Sequence, residues 1–272
     1  MAQVLTIASE AARPAATLEG RARAWWNLLR FLVGARLKLW TQDRWLGVWW
    51  WLLEPLAMTG TYVLVVKGAF RSGPPNYGLF VMCAMLPWTW FTAACGLGGV
   101  SLVANVRLLK SFRVSYAVFP TAEVAATGVR FLMSLLILGM LLVFYRIPVT
   151  WQLLWLPLLA AVQLVFTLGV CYWLSLAQVY AVDTQNLWQI VTRVWFFLSP
   201  SIYALDQVPE WIRGWYLLNP FAALFCSYRD VVIEGRPPEL AHLGTAAVLG
   251  VVLAVSGLAV MRRLEGVLPL RM

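Results

Sequence analysis

Three ionisable side chains inside long apolar stretches ask for a chemical explanation before any others do: Glu54, Glu123 and Arg130. Charge held in hydrocarbon is costly, so such groups face a bundle interior or a watery path and pair with one another. Glu54 lies eight residues into an apolar run that opens at Leu46, about 12 Å deep for a helix rising 1.5 Å per residue. Arg130 lies about 12 to 15 Å into a run that opens between Pro120 and Ala122. The matched depths predict a Glu54–Arg130 ion pair. Glu123, two turns below Arg130 on the same helical face, is a second candidate partner. A fixed pair that locks the bundle and a pair that works in gating both require inward-facing charges.

Other chemistry is missing from the sequence pattern. A phosphate-cradling loop needs glycines and a lysine in the order G-x-x-x-x-G-K-[ST], and none occurs. Gly96-Leu97-Gly98-Gly99 closes an apolar stretch and reads as close helix packing through small residues. The single histidine, His242, has Glu239 near it but no second imidazole or thiolate at ligand spacing, so no metal site is expected. Cys83, Cys95, Cys171 and Cys226 have no C-x-x-C spacing, and three of them sit inside apolar runs. No pair of carboxylates suits acid–base work. The chain is therefore expected to be no enzyme and to hold no cofactor; any energy source belongs to another protein.

The elements that must position these residues follow from composition. Of 272 residues, 61% are hydrophobic and 12% charged, with 16 Trp and a mean hydropathy of +0.75. Soluble domains are about half apolar and about a quarter charged, so these values exclude an ordinary soluble enzyme. The net charge of +9 has no polar-interleaved basic stripe for nucleic acid and points to an anionic membrane face. About 20 apolar residues span the roughly 30 Å hydrocarbon layer. Six runs qualify, at 46–66, 79–103, 122–144, 153–180, 187–204 and 240–260. A seventh, 221–232, is too short to cross and is bounded by Pro220, Arg229 and Asp230, as a re-entrant or interfacial segment would be.

The expected fold is thus an all-α membrane protein: six transmembrane helices, an N-terminal interfacial amphipathic helix, and a re-entrant extracytoplasmic hairpin at about 206–234 before the last span. The first 45 residues form a cytoplasmic segment and 46–272 the transmembrane domain. Fourteen Lys and Arg fall on the side of the termini against six on the other, with Arg130 inside a span, so both termini are expected in the cytoplasm. From Arg21 onward Arg23, Asn27, Arg30, Gly34, Lys38 and Thr41 recur at helical spacing, with Trp25, Leu28, Leu29, Leu32 and Leu39 mostly opposite. Such a helix lies flat among headgroups, either as a simple anchor or as a brace for a cytoplasmic partner.

Between the second and third spans, residues 105–115 mix Arg107, Lys110 and Arg113 with Leu108, Leu109 and Phe112. The segment could float on headgroups or dock its apolar knobs into a soluble subunit. Near the other membrane face, Pro209, Gly214, Asn219 and Pro220 break helix regularity. Broken backbone at membrane depth needs protein or a watery cavity over it, which fits either a gate or a cap.

With these elements in order, the sequence resembles a known family. Leu46-Gly47 through Trp50 to Pro55-Leu56 is similar to the L-G-x-x-W-x-x-x-x-P-L start of the first span in type-2 ABC exporter permeases that move polysaccharides. Leu86-Pro87-Trp88 with Phe91 resembles the second span of that family, and Phe196-Phe197-Leu198-Ser199-Pro200 with Tyr203 the fifth. Val208-Pro209-Glu210-Trp211 through Asn219-Pro220 to Tyr228-Arg229-Asp230 resembles its outer hairpin. Two positions depart from the pattern: Val182 precedes Asp183 where the family usually has Arg, and Lys110 stands alone where it has a double Lys.

The resemblance implies a homodimer in the bacterial inner membrane with two ATP-binding ABC subunits, exporting a lipid-linked polysaccharide such as O-antigen, capsule or teichoic acid. It makes Arg107, Leu108, Leu109, Lys110, Phe112 and Arg113 the helix that couples to the ATPase. Trp45, Trp49, Trp50, Trp51, Trp88, Trp90 and Phe91 become candidates for a glycan path, since aromatic rings stack on sugar faces. Trp211, Trp215, Tyr216, Asn219, Pro220 and Tyr228 become candidates for the outer gate. Interfacial belts also collect Trp and Tyr, and Trp49, Trp50 and Trp51 cannot all face one way at about 100° per residue. A permease for a small amphipathic drug or lipid, an integral-membrane enzyme acting on lipid-linked sugars, and a membrane scaffold are the competing readings.

Overall fold

A computed structural model describes residues 18–42, 47–71, 73–111 and 114–265. The described residues form helices and turns, with no strand among them. Helix α1 (Leu18–Thr41) comes first. A 3-10 turn, Gly47–Trp49, then runs into α2 (Trp50–Val63), which a π-helical turn, Leu64–Ala69, extends. Next are α3 (Tyr77–Ala104), the short α4 (Val106–Ser111) and α5 (Val118–Phe144). A 3-10 turn, Trp151–Trp155, opens α6 (Leu156–Tyr180), followed by α7 (Thr184–Phe197). The short α8 (Glu210–Tyr216) and α9 (Pro220–Arg229) follow, and α10 (Leu240–Leu264) closes the described chain.

Among the described residues, four helical stretches are long and apolar enough to cross a membrane: Tyr77–Ala104, Val118–Phe144, Trp151–Tyr180 and Leu240–Leu264. They match the second, third, fourth and last predicted spans. The first predicted span corresponds to a continuous helical path from Gly47 to Ala69 that changes its hydrogen-bond register at Leu64. The fifth departs from expectation. Helix α7 has 14 residues, about 21 Å at 1.5 Å each, and stops at Phe197, so 187–204 is not one helix. Beyond it the chain turns through Ser199-Pro200-Ser201, where proline removes a donor and disfavours helix in the residue before it.

Helix α3 occupies the centre and is buried on nearly every side, whereas α5, α6 and α10 each bury one face and leave Leu136, Leu158 and Val252 outward. Apolar residues all round a helix suit burial inside a bundle or lipid contact. The closest crossing is α6 on α10, made possible by missing side chains. A Cβ on Gly250 would lie 2.9 Å from the Phe166 backbone, and one on Gly169 would lie 2.7 Å from the Ala254 nitrogen. Small residues let helix backbones approach in just this way. The expected packing role of the 96–99 glycines is visible at Gly98, where a Cβ would meet Cys171 Sγ at 3.0 Å.

Buried apolar residues fall into two clusters. The larger joins α3, α6 and α9 around Trp88, Phe91, Phe166 and Phe221. The smaller lies at the end near the chain termini and joins Leu28 and Leu29 of α1 to Leu102, Leu109, Phe119, Tyr172 and Met261. The polar face predicted for α1 is exposed at Arg23, Asn27, Arg30, Gly34 and Lys38. Its apolar face, expected among headgroups, packs instead on the other helices of the chain, while Leu39 remains 62% exposed. Glu265 ties the same end together by accepting hydrogen bonds from Ser115 Oγ and the Tyr116 backbone nitrogen, both at 3.3 Å.

Candidate functional site

The embedded charges pair, though not all as the sequence suggests. Arg130 Nη2 lies 3.6 Å from Glu54 Oε2, as the equal depths of the two residues predict. The Arg130 guanidinium also sits over the rings of Trp40, 5.4 Å away, and Trp51, 5.5 Å away; cations are attracted to aromatic faces at such distances. Glu123 does not share Arg130. Its Oε1 meets Arg36 Nε at 2.5 Å, with the carboxylate side chain 3% exposed. Arg36 lies off the polar stripe of α1, on the face of Leu28, Leu29 and Leu32, which is the signal in the sequence for its turning inward. Glu54, by contrast, is 67% exposed on its side chain. A small cavity of about 30 Å3 adjoins the Glu54–Arg130 pair, walled by Trp51, Thr89, Trp90 and Thr127; that is room for about one water.

The aromatic residues separate by position. Trp49 and Trp50 are exposed and Trp51 is buried, as consecutive helical residues must diverge. Trp88, Trp90 and Phe91, candidates for a path, lie inside the subunit core instead. Trp88 packs on Phe221 with centroids 4.8 Å apart, Phe91 on Phe221 at 4.5 Å, and Trp90 stacks on Phe131 at 4.6 Å. Their rings are spent on neighbouring rings, which prefer these tilted and offset geometries. Trp45 lies outside the described residues.

Polar side chains that sequence inspection passes over hold the core together. Gln163 Nε2 donates to the Pro87 carbonyl at 2.7 Å, and its Oε1 accepts from Tyr228 OH at 3.2 Å. This chain of bonds links α3, α6 and α9. Tyr228 is thus buried in this core, and Pro220, at the other end of α9, is buried too. In lipid every backbone polar group needs an internal partner, and the broken chain after α7 finds its partners in this way. Tyr77 OH donates to the Ile202 carbonyl at 2.9 Å, and Arg229 Nη2 to the Ser201 carbonyl at 2.7 Å.

Asn219 joins the end of α8 to the start of α9. Its Oδ1 accepts from the Phe221 backbone nitrogen at 3.1 Å, capping α9 at its N-terminus ahead of Pro220. The same oxygen accepts from Trp195 Nε1 at 2.9 Å, and Asn219 Nδ2 donates to Ser199 Oγ at 2.9 Å. Trp211 and Trp215 project from α8, 81% and 75% exposed. Tyr216 and Tyr203 join through their hydroxyls, and burial pushes the Tyr216 phenol well above its ordinary range. Asp230 Oδ1 accepts two bonds from Arg236, at 2.6 and 3.0 Å. Burial raises the Asp230 carboxyl, and Arg236 draws it back down.

At the opposite end, α4 holds the described part of the predicted docking segment. Arg107 and Lys110 are exposed and Leu108 is half-buried. Leu109, expected as a knob for a partner, is 4% exposed and fills the chain's own smaller cluster. Phe112 and Arg113 lie outside the described residues. His242 Nδ1 sits 3.0 Å from Glu239 Oε1, a polar contact one helical turn long at the start of α10.

A helical bundle of long apolar helices with charged pairs set among them defines an integral membrane protein. Residues 27–233 match the ABC-2 type transporter family, and the chain belongs to it. It is similar to an O-antigen export system permease protein RfbA of Myxococcus xanthus, 33% identical over 244 residues that cover 88% of this chain and 94% of the relative. A protein of the same name from Klebsiella pneumoniae is 26% identical over 240 residues, covering 88% of this chain and 92% of the relative.

Proposed function

We propose that this chain is the permease subunit of an ATP-driven exporter that carries a lipid-linked polysaccharide of the O-antigen class from the cytoplasmic side across the bacterial inner membrane. The observation that carries this reading is similarity along 94% of a relative named as an O-antigen export permease. ATP and Mg belong to a separate ATP-binding subunit, present in two copies beside a homodimer of this chain. Both termini lie in the cytoplasm, the chain crosses six times with the 47–69 path and α7 completing the set, and 206–234 re-enters from the far face. The exposed Arg107 and Lys110, with Phe112 and Arg113, meet the ATPase, and Trp49 and Trp50 face the partner copy or the glycan.

Deleting the gene tests the proposal. Lipid-linked glycan should accumulate inside and surface glycan should disappear, with recovery on complementation. Undiminished surface glycan in the deletion strain overturns the reading.

A further inference from the structure

At the end away from the termini, a cavity of about 440 Å3 opens between the Pro74–Asn76 loop, the turn at Ala204, one face of α9 and the start of α10. Its volume lies within the roughly 300 to 1,000 Å3 of small-molecule sites. Arg229 forms part of its wall while only 5% exposed. The guanidinium lies 3.5 Å over the Phe80 ring. Nε donates to the Phe80 carbonyl at 3.2 Å and Nη2 to the Ser201 carbonyl. Nη1 makes no bond within the described residues, and no carboxylate among them stands at ion-pair distance. Charged side chains are almost never this buried unless paired; here two backbone carbonyls and an aromatic face hold the guanidinium, with Nη1 as its remaining donor.

The rest of the lining says which acceptor. Asp206, Asp230, Glu234 and Glu239 bring four carboxylates against the cations Arg229 and Arg236. That negative excess repels polyanions, while carboxylates accept from hydroxyl and ammonium donors. We propose that this cavity binds one or two neutral or amino-bearing sugar units, whose hydroxyls accept from Arg229 and donate to the carboxylates. The proposal rests on the export reading and names the cargo chemistry met at the far face.

Cys226 lines the cavity and is only partly buried, whereas Cys83, Cys95 and Cys171 are fully enclosed. The full-length chain in lipid nanodiscs is treated with N-ethylmaleimide, and Cys226 labelling is followed by intact mass. Mannobiose or glucosamine disaccharide should slow labelling by about threefold at twice its dissociation constant, and digalacturonate should not. Ala204→Trp, at a half-exposed wall, should remove the protection while thermal unfolding remains cooperative. Absence of protection by either saccharide, protection undiminished in Ala204→Trp, or stronger protection by digalacturonate overturns the proposal. If surface glycan in cells still depends on the gene, such a failure leaves the export reading standing; if it does not, the export reading falls on its own evidence.

Discussion

Two embedded carboxylates with opposite surroundings predict opposite responses to the same kind of substitution. Glu123 is enclosed and held by Arg36. Truncating Arg36 to Met leaves a buried charge without compensation, at a cost of about 3–5 kcal/mol. Arg36→Met together with Glu123→Met should recover most of the loss, as read by thermal unfolding in detergent. Glu54 is mostly uncovered by its own chain, and exposed pairs contribute about 0–1 kcal/mol. Glu54→Gln should therefore barely move the melting temperature. Its effect belongs to export: exchanging the charges as Glu54→Arg with Arg130→Glu should restore transport lost in each single variant, and a double variant as inactive as the singles would remove any working role for the pair. The Glu54–Arg130 contact is legible from depth alone, because both residues sit at similar distances into their apolar runs. The Arg36–Glu123 contact is not, because depth along one helix says nothing about which surface helix folds over it.

Among the elements, the α8–α9 junction and the closest helix crossing are held by different physics. The junction depends on one polar side chain, since Asn219 caps α9 and bridges to Trp195 and Ser199. Asn219→Ala should cost about 1 kcal/mol for the cap and more for the donors it strands. Hydrogen exchange should then quicken across 205–234 while α3 and α6 stay protected. The α6–α10 crossing depends on absent atoms, and Gly250→Leu drives a side chain into the Phe166 backbone. Overpacking of this kind costs about 1–3 kcal/mol, seen as a lower melting temperature. Sequence periodicity finds four of the long helices because lipid and core make the same demand on them. It overextends α7, since Leu198, Ile202 and Ala204 remain apolar after the backbone has left the helix, where the Ser201 and Ile202 carbonyls are satisfied by Arg229 and Tyr77 from elsewhere. Trp88 and Phe91 pack on Phe221, a partner that aromatic composition alone does not reveal.

For the whole molecule, the charge balance between the two faces gives a direct expectation. Fusing a fluorescent protein to either terminus should give bright cells, and alkaline phosphatase at the same points should stay inactive; an active phosphatase at one end would remove the even number of crossings. The wider architecture holds one further consequence, in the smaller cluster where Leu28 and Leu29 roof over Leu102, Phe119 and Met261. The opening helix is a lid on the mouth of the bundle, so shortening the protein past Leu28 would not trim a loose tail. It would uncork a greasy rim, and the trimmed protein should clump or be degraded before any loss of transport could be observed.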